Sequence, residues 1–440
     1  MLNLHVAGAY KQLRTREADV RQQFFCWGGC WFAELCLIFG GASSGGLFDR
    51  LAKVFRHIAT ELTIMPADQV QQILDDVVGA GTKTEVEAFY FKYREVAMDC
   101  GVELASEDDP NKAFSARQTG EVFGINYDTV TFSWWLSERK LGVIIDMLLK
   151  LDETDQHTLA FLKTIVGKLI HYRPMVPHGK FHIGQLIKVS SVAPGTDLSR
   201  VVTVPEWARA EAWYWRSLLP FCARRVPLPN PDFSLPPWVL HAYTDAAGGS
   251  SALGHGVGAV MEPGWWCYLP WGIDSPINSS LKFEDGKMFC NKMSAWELVG
   301  PLLVLTAGVE LVRNRSLVIP VDNRGSVCIY TKGWCTSCLL CSTLALAISE
   351  VAASINCRLE VVKIRRCSNA LAEAADAISK ADFKRLRRLM PGASAGPARV
   401  PRALLQWVAN PVGDRHLAAK LLKELGVQRN ILGYQGLFYC

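Results

Sequence analysis

Residues 239–245 read VLHAYTD, a short strand that stays largely uncharged until it ends on a carboxylate. A Gly/Ser turn, AAGGSSALGH, leads to a second strand at 256–261, GVGAVM, and 265–269, WWCYL, makes a third. Turn residues between short apolar runs are the usual punctuation of strands. Further along, the period lengthens. Residues 293–309 form a helix, 316–322 (SLVIPVD) a strand, 325–330 a short segment, 337–354 a long helix, 358–364 a strand and 370–378 a helix. Three strands, helix, strand, helix, strand, helix predicts an α/β domain over 238–385, with a mixed sheet flanked by helices.

Four carboxylates stand at telling places in that order. Asp245 ends the first strand and Asp322 the fourth, Glu297 lies in the first helix (KMSAWEL) and Asp376 in the last (EAADAISK). A strand that is otherwise buried has little reason to end on a carboxylate unless that group has a partner. Four such acids, read as having no nearby basic partner, are expected to hold a hard cation with oxygen ligands, Mg²⁺ or Mn²⁺. A pair of such ions suits in-line attack at phosphorus. Each acid alone reads ordinarily as a turn, a cap or an exposed helix residue; the joint pattern carries the metal reading.

Upstream, residues 1–133 mix apolar runs with charged helices. Phe48, Leu51, Val54 and Ile58 share one helical face, and so do Val86, Phe89, Tyr90, Tyr93 and Val96 in a helix over 83–100. Between them lies ILDDVV, 73–78, an apolar segment with Asp75 and Asp76 at its centre, which fits the tight turn of a hairpin. Residues 134–237 read as helical (136–151, 157–171, 206–219) and end in VPLPNPDFSLPP, 226–237, whose prolines exclude helix and mark an extended linker. Residues 386–440 read as a basic, small-residue linker and an isolated helical tail at 414–425.

Of the 440 residues half are hydrophobic and a fifth charged, which excludes a largely disordered chain. A net charge of +5 says little about partners. No run is long and apolar enough to span a bilayer, and Lys11 and Arg14 interrupt the N-terminus before a signal-type core forms. The 14 cysteines are scattered, and the spacings at Cys335, Cys338, Cys341 and at Cys26, Cys30 complete no metal set. The expected setting is intracellular, cytoplasmic or nuclear. The run KADFKRLRRL carries Lys380, Lys384, Arg385, Arg387 and Arg388. It reads either as a solvated face or as a contact for nucleic-acid phosphates.

YTDAAGG, AWELVGPLL, VIPVDNRGS and EAADAISKAD together resemble the four acidic motifs of the ribonuclease H domain of retroelement polyproteins, over about 238–383. The resemblance implies an RNase H-like fold with a mixed five-stranded sheet. It also implies that Asp245, Glu297, Asp322 and Asp376 hold two Mg²⁺ or Mn²⁺ ions that cut the RNA strand of an RNA–DNA hybrid. Many members carry a His shortly before the last acid; residues 364–376 contain none.

LHVAGAYKQL (4–13), CLIFGGASSGGLFDRLAKVF (36–55), LDD (74–76) and GEVFGINYDT (120–129) resemble reverse transcriptase motifs, most like the tyrosine-recombinase retroelements called DIRS-like. This implies an α+β palm-like domain at 1–133 with Asp75 and Asp76 as its catalytic pair. It further implies a template–primer of DNA or RNA as partner, and a thumb or connection region at 134–237. Two departures follow. His5 stands where the palm strand of the family carries an Asp, and the chain starts at that strand, so the upstream fingers are expected to be missing. RNA-directed DNA polymerase activity is therefore expected to be defective, and the hydrolase to be the more credible activity. The alternative is a catalytically inactive nucleic-acid-binding remnant or scaffold of retroelement origin.

Overall fold

In a computed structural model, described for residues 1–38, 43–109, 112–176, 178–193, 195–227, 239–247, 255–271, 292–336, 338–364, 369–393, 396–409 and 416–429, the chain divides into two compact units. The first comprises Met1–Ser137 with the short strand Val226–Pro227. The second comprises the helical segment Glu138–Arg224 and the chain that follows the proline-rich stretch, so those helices cluster with the five-stranded sheet. Most of the proline-rich stretch (228–237), the Gly/Ser turn at 248–254 and the start of the predicted tail (414–415) lie outside the described residues. No helix among the described residues is long and apolar enough to cross a membrane.

Alternation builds the first unit's sheet. In Val70–Ile73, Val70 and Gln72 face inward while Gln71 and Ile73 face water, the period of a half-buried strand. This strand pairs antiparallel with Asp76–Gly79, which also pairs with Leu2–His5, so the strand that begins at Asp76 is central. The hairpin turn is tight. Leu74 takes φ 55°, and the buried Gln72 side chain donates to the Leu74 carbonyl (3.2 Å) and to Tyr93 Oη (3.1 Å). Helices Ser44–Glu61 and Lys83–Asp99 pack on this sheet around Leu4, Phe55, Val70, Val77, Phe89 and Tyr93. A capping box between Thr82 and Glu85 starts the second of them. GEVFGINYDT forms the hairpin Thr119–Val122 and Ile125–Asp128. Its two turn residues, Phe123 and Gly124, both have positive φ, the twist that suits a two-residue hairpin.

The second unit is organised by a mixed five-stranded sheet in the order Trp265–Trp271, His255–Met261, Leu240–Ala247, Ser316–Val321, Arg358–Lys363. The first three strands run antiparallel; the last two run parallel to the central one. This is the α/β arrangement expected of an RNase H-like domain. Helices Lys292–Ala307 and Leu339–Ser354 pack together on it.

The tail is not isolated, contrary to the sequence reading. Helices Arg402–Ala409 and Leu417–Glu424 bury Leu404, Trp407, Leu417, Leu421 and Leu422 in the same core as the sheet. The reason is visible in Leu339–Ser354, buried at every position from Leu340 to Ala353. A largely apolar helix that presents such residues on every side needs cover on the side away from its sheet. Glu424 closes the arrangement by accepting from the backbone N–H of Arg402 (2.7 Å) and Ala403 (2.8 Å).

Candidate active site

The central strand and Ser316–Val321 run parallel, so their carboxyl ends share one edge of the sheet. Their ladder stops at His241↔Val318. Two residues on stands Pro320, which has no N–H to extend a ladder. Asp245 does not end its strand, as the sequence suggested, but lies inside it, because the antiparallel ladder to the neighbouring strand continues to Ala247; Asp322 is the first residue beyond the other strand. Glu297 comes from the helix above, with only 2% of its surface exposed. That helix rides close on the strand because Gly300, one turn after Glu297, faces Thr244; a Cβ there would lie 2.6 Å from Thr244 Cβ. Asn323 fixes the loop after Asp322. Its side chain accepts from Ser326 N (3.0 Å) and from Ser294 Oγ (3.3 Å), while Ser326 Oγ donates to the Ser294 carbonyl (3.1 Å). The helix of Glu297 and the loop of Asp322 are thereby tied together. One carboxylate oxygen from each of Asp245, Glu297 and Asp322 lies within 4.8 Å of the other two.

Asp376 stands beside this trio rather than in it. It lines the same open cleft, about 310 Å³, with Asp245, Asp322, Glu373, Lys380 and Arg385. Its oxygens are engaged by Lys380 Nζ (2.5 Å) and Arg385 Nη1 (3.0 Å), and Arg385 also reaches Glu373 (3.3 Å). Its helix, Ala370–Ser379, packs directly on the strand His255–Met261 at Gly258, where a Cβ would fall 2.4 Å from the Ala375 carbonyl oxygen and 2.7 Å from Ser379 N. Gly258 is the register partner of Asp245. The close approach brings Ser379 Oγ to 2.7 Å from Asp245 Oδ2.

Burial raises the Asp245 carboxyl to about 6, reinforced by the negative charges of Asp376 and Asp322 and opposed by the Ser379 hydrogen bond and by Lys380. An acid raised in this way marks crowded negative charge in a poorly solvated place. All-oxygen donors at this spacing fit a hard divalent cation.

The predicted basic run divides. Lys380 and Arg385 turn onto Asp376, whereas Lys384, Arg387 and Arg388 are exposed on or beside the short helix Phe383–Leu389. Sequence reading passed over Ser379, Gly258 and Gly300. The available signal was a pair of glycines inside a strand, HGVGAVM, which marks close backbone approach.

In the first unit, Asp75 and Asp76 sit at the hairpin turn as expected, and strand pairing brings His5 opposite Asp76. His5 Nδ1 is 2.9 Å from Asp76 Oδ1, and Nε2 is 3.5 Å from Asp75 Oδ2. The His5 pKa is raised, chiefly by the Asp76 hydrogen bond and then by the nearby aspartate charges, against burial and Lys112. This trio and the Asp245 trio are the two groups among the described residues whose donor atoms could hold a metal ion.

No family model matches the chain, and no curated protein matches it. Solved structures do. The chain is similar to a foamy viral protease–reverse transcriptase, dRH, in complex with double-stranded DNA: 14% identity, 84% of this chain and 57% of that one, TM-score 0.40. It is similar to the foamy viral protease–reverse transcriptase with double-stranded DNA (14%, 84% and 68%, 0.39). The same protein with an RNA/DNA hybrid gives 14%, 84% and 44%, 0.41. The chain thus spans little more than half the length of the first of these structures. These are likenesses of fold, too loose for any residue's role to be carried across.

Proposed function

We propose that the second unit is a ribonuclease H-type endonuclease of a retroelement reverse transcriptase polyprotein of the DIRS-like kind, hydrolysing the RNA strand of RNA–DNA hybrids. The observation that carries this reading is the convergence of Asp245, Glu297 and Asp322 within 4.8 Å at the carboxyl edge of the sheet. Divalent cations bound there, Mg²⁺ or Mn²⁺, supply an activated water and a counter-charge for the leaving oxygen at phosphorus. The chain's own residues hold and orient. Asp245 offers its carboxylate from within a paired strand and Asp322 from just beyond the end of its neighbour. Buried Glu297 closes the site from above, and Ser379 fixes the Asp245 carboxylate. Asp376, with Lys380 and Arg385, forms the cleft wall, and Lys384, Arg387 and Arg388 offer positive charge to a nucleic-acid backbone beside it.

The test is Mn²⁺-dependent cutting of a hybrid labelled on its RNA strand, with Asp322→Asn as control. Cleavage lost in the variant supports the assignment. Equal cleavage by wild type and variant refutes it. A second reading, a non-catalytic nucleic-acid-binding scaffold, is favoured by one feature: Asp376 is already neutralised by two cations. It predicts hybrid binding without cleavage. For the first unit we propose a palm whose nucleotidyltransferase activity is defective, because His5 stands beside Asp75 and Asp76 and offers no negative charge.

A further inference from the structure

His5, Asp75 and Asp76 present a mixed nitrogen–oxygen donor set that does not fit the pair of hard cations needed for nucleotidyl transfer. Two carboxylates cannot balance two dications, and imidazole is a poor donor to Mg²⁺. We propose that the three residues instead form a site for one transition-metal dication of the zinc or cobalt class, bound through His5 Nε2 and Asp75 and oriented by Asp76.

Three observations carry this. First, the residues are held by the sheet. His5 and Asp76 are paired in register, the Val6 N–H donates to the Asp75 carbonyl at 2.8 Å, and Gln72 pins the turn at Leu74. Second, the imidazole is oriented. Nδ1 lies 2.9 Å from Asp76 Oδ1, and a ring N–H given to a carboxylate is what fixes the tautomer of a metal-ligating histidine and leaves Nε2 bare. Third, Nε2 and Asp75 Oδ2 stand 3.5 Å apart, long for a hydrogen bond. The same separation is one edge of a coordination shell: with bonds of about 2.0–2.1 Å, an ion bridging the two atoms subtends roughly 117°, near tetrahedral. His5, Asp75 and Asp76 are each partly exposed, so water can complete the shell. One dication balances the two aspartates with imidazole neutral. The chain then carries two centres of different taste, an all-oxygen one for Mg²⁺ or Mn²⁺ and a nitrogen-containing one for Zn²⁺ or Co²⁺.

The experiment uses the full chain carrying Asp245→Asn and Asp322→Asn, so that the oxygen site is silenced and the outcome does not depend on the hydrolase reading. Co²⁺ is titrated, with calorimetry for stoichiometry and affinity and visible absorption for coordination. The expected result is one ion per chain with a nitrogen-ligand spectrum, not displaced by excess Mg²⁺. His5→Gln should abolish it, and Asp76→Asn should weaken it about 10–100-fold. A measurement on chain with native His5 guards against misfolded variants: Zn²⁺ should shift the ring-nitrogen NMR signals of one histidine, and that signal should be the one missing from the His5→Gln spectrum. Two ions per chain, displacement by Mg²⁺ at equal concentration, undiminished binding in His5→Gln, or no binding at all each overturn the proposal.

Discussion

Asp245→Asn should make the metal-free second unit more stable and nearly blind to divalent cations. Asp245 is held at about 6 instead of the usual 3.8, mainly by burial and then by Asp376 and Asp322. The native state therefore keeps a proton that the unfolded chain gives up as pH rises between those values. Stability is full below the unfolded pKa and is lost as pH climbs through the folded one. At about 1.4 kcal/mol per tenfold change, the cost above pH 6 is at most about 3 kcal/mol. Asparagine carries no such cost and still offers an oxygen to Ser379 Oγ, so a net gain of about 1–2 kcal/mol, or a few degrees in Tm, is expected at pH 8. At pH 4 the two proteins should melt together. Saturating Mn²⁺ should raise the wild-type Tm by the linkage relation, about 2.7 kcal/mol at a hundred times Kd, and the variant's far less. Thermal melts at pH 4 and 8, with and without Mn²⁺, read all four cases. A variant less stable than wild type at pH 8, with its Mn²⁺ response intact, would refute the crowded-carboxylate account.

Gly300→Ala adds a Cβ 2.6 Å from Thr244 Cβ and should lift the helix that carries Glu297. A loss of about 1–3 kcal/mol is expected despite alanine's better helix propensity, together with a smaller Mn²⁺-induced Tm shift; a net stabilisation would show that the contact is slack. Arg385→Gln should change stability by less than about 1 kcal/mol, because the pair is partly exposed. It should raise Mn²⁺ affinity by removing one of the two cations that engage Asp376, the one on Oδ2, and calorimetry showing no change would place that oxygen out of the ion's reach. Leu421→Ala should cost the second unit about 2–5 kcal/mol. An unchanged melt would mean that the tail helix does not share its core.

The order of the elements that carry the acids was legible because motif and period agreed: Asp322 follows its strand and Glu297 and Asp376 lie on helices, whereas Asp245 stands inside a strand that continues to Ala247 instead of ending on the acid. The partners of Asp376 were not legible. The expectation that the acids have no nearby basic partner fails at Asp376: Lys380, one helical turn on, pairs with it, and Arg385, beyond a break in the helix at Ala381 (φ 56°), is returned to it by the folded-back chain. The tail was misread for a related reason. Its amphipathic stripe is short, and the apolar surface it covers belongs to a helix more than 60 residues upstream, buried on every side. Burial of that kind leaves no periodicity to read.

His5 shows most plainly where sequence reasoning stops. As a residue type it announced a missing negative charge. Its geometry depends on antiparallel register across 71 positions, which sets His5 against Asp76 and Leu4 against Val77. A slip of one residue in that pairing would turn the His5 side chain to the opposite face, away from both aspartates. Leu2 and Leu4, both fully buried in the core under the sheet, oppose the slip, because it would take both leucines off the face that packs into that core. The core thus fixes the position of the imidazole. Whatever that imidazole holds, proton or metal, is set by its distance from two carboxylates that the same apolar alternation puts in place.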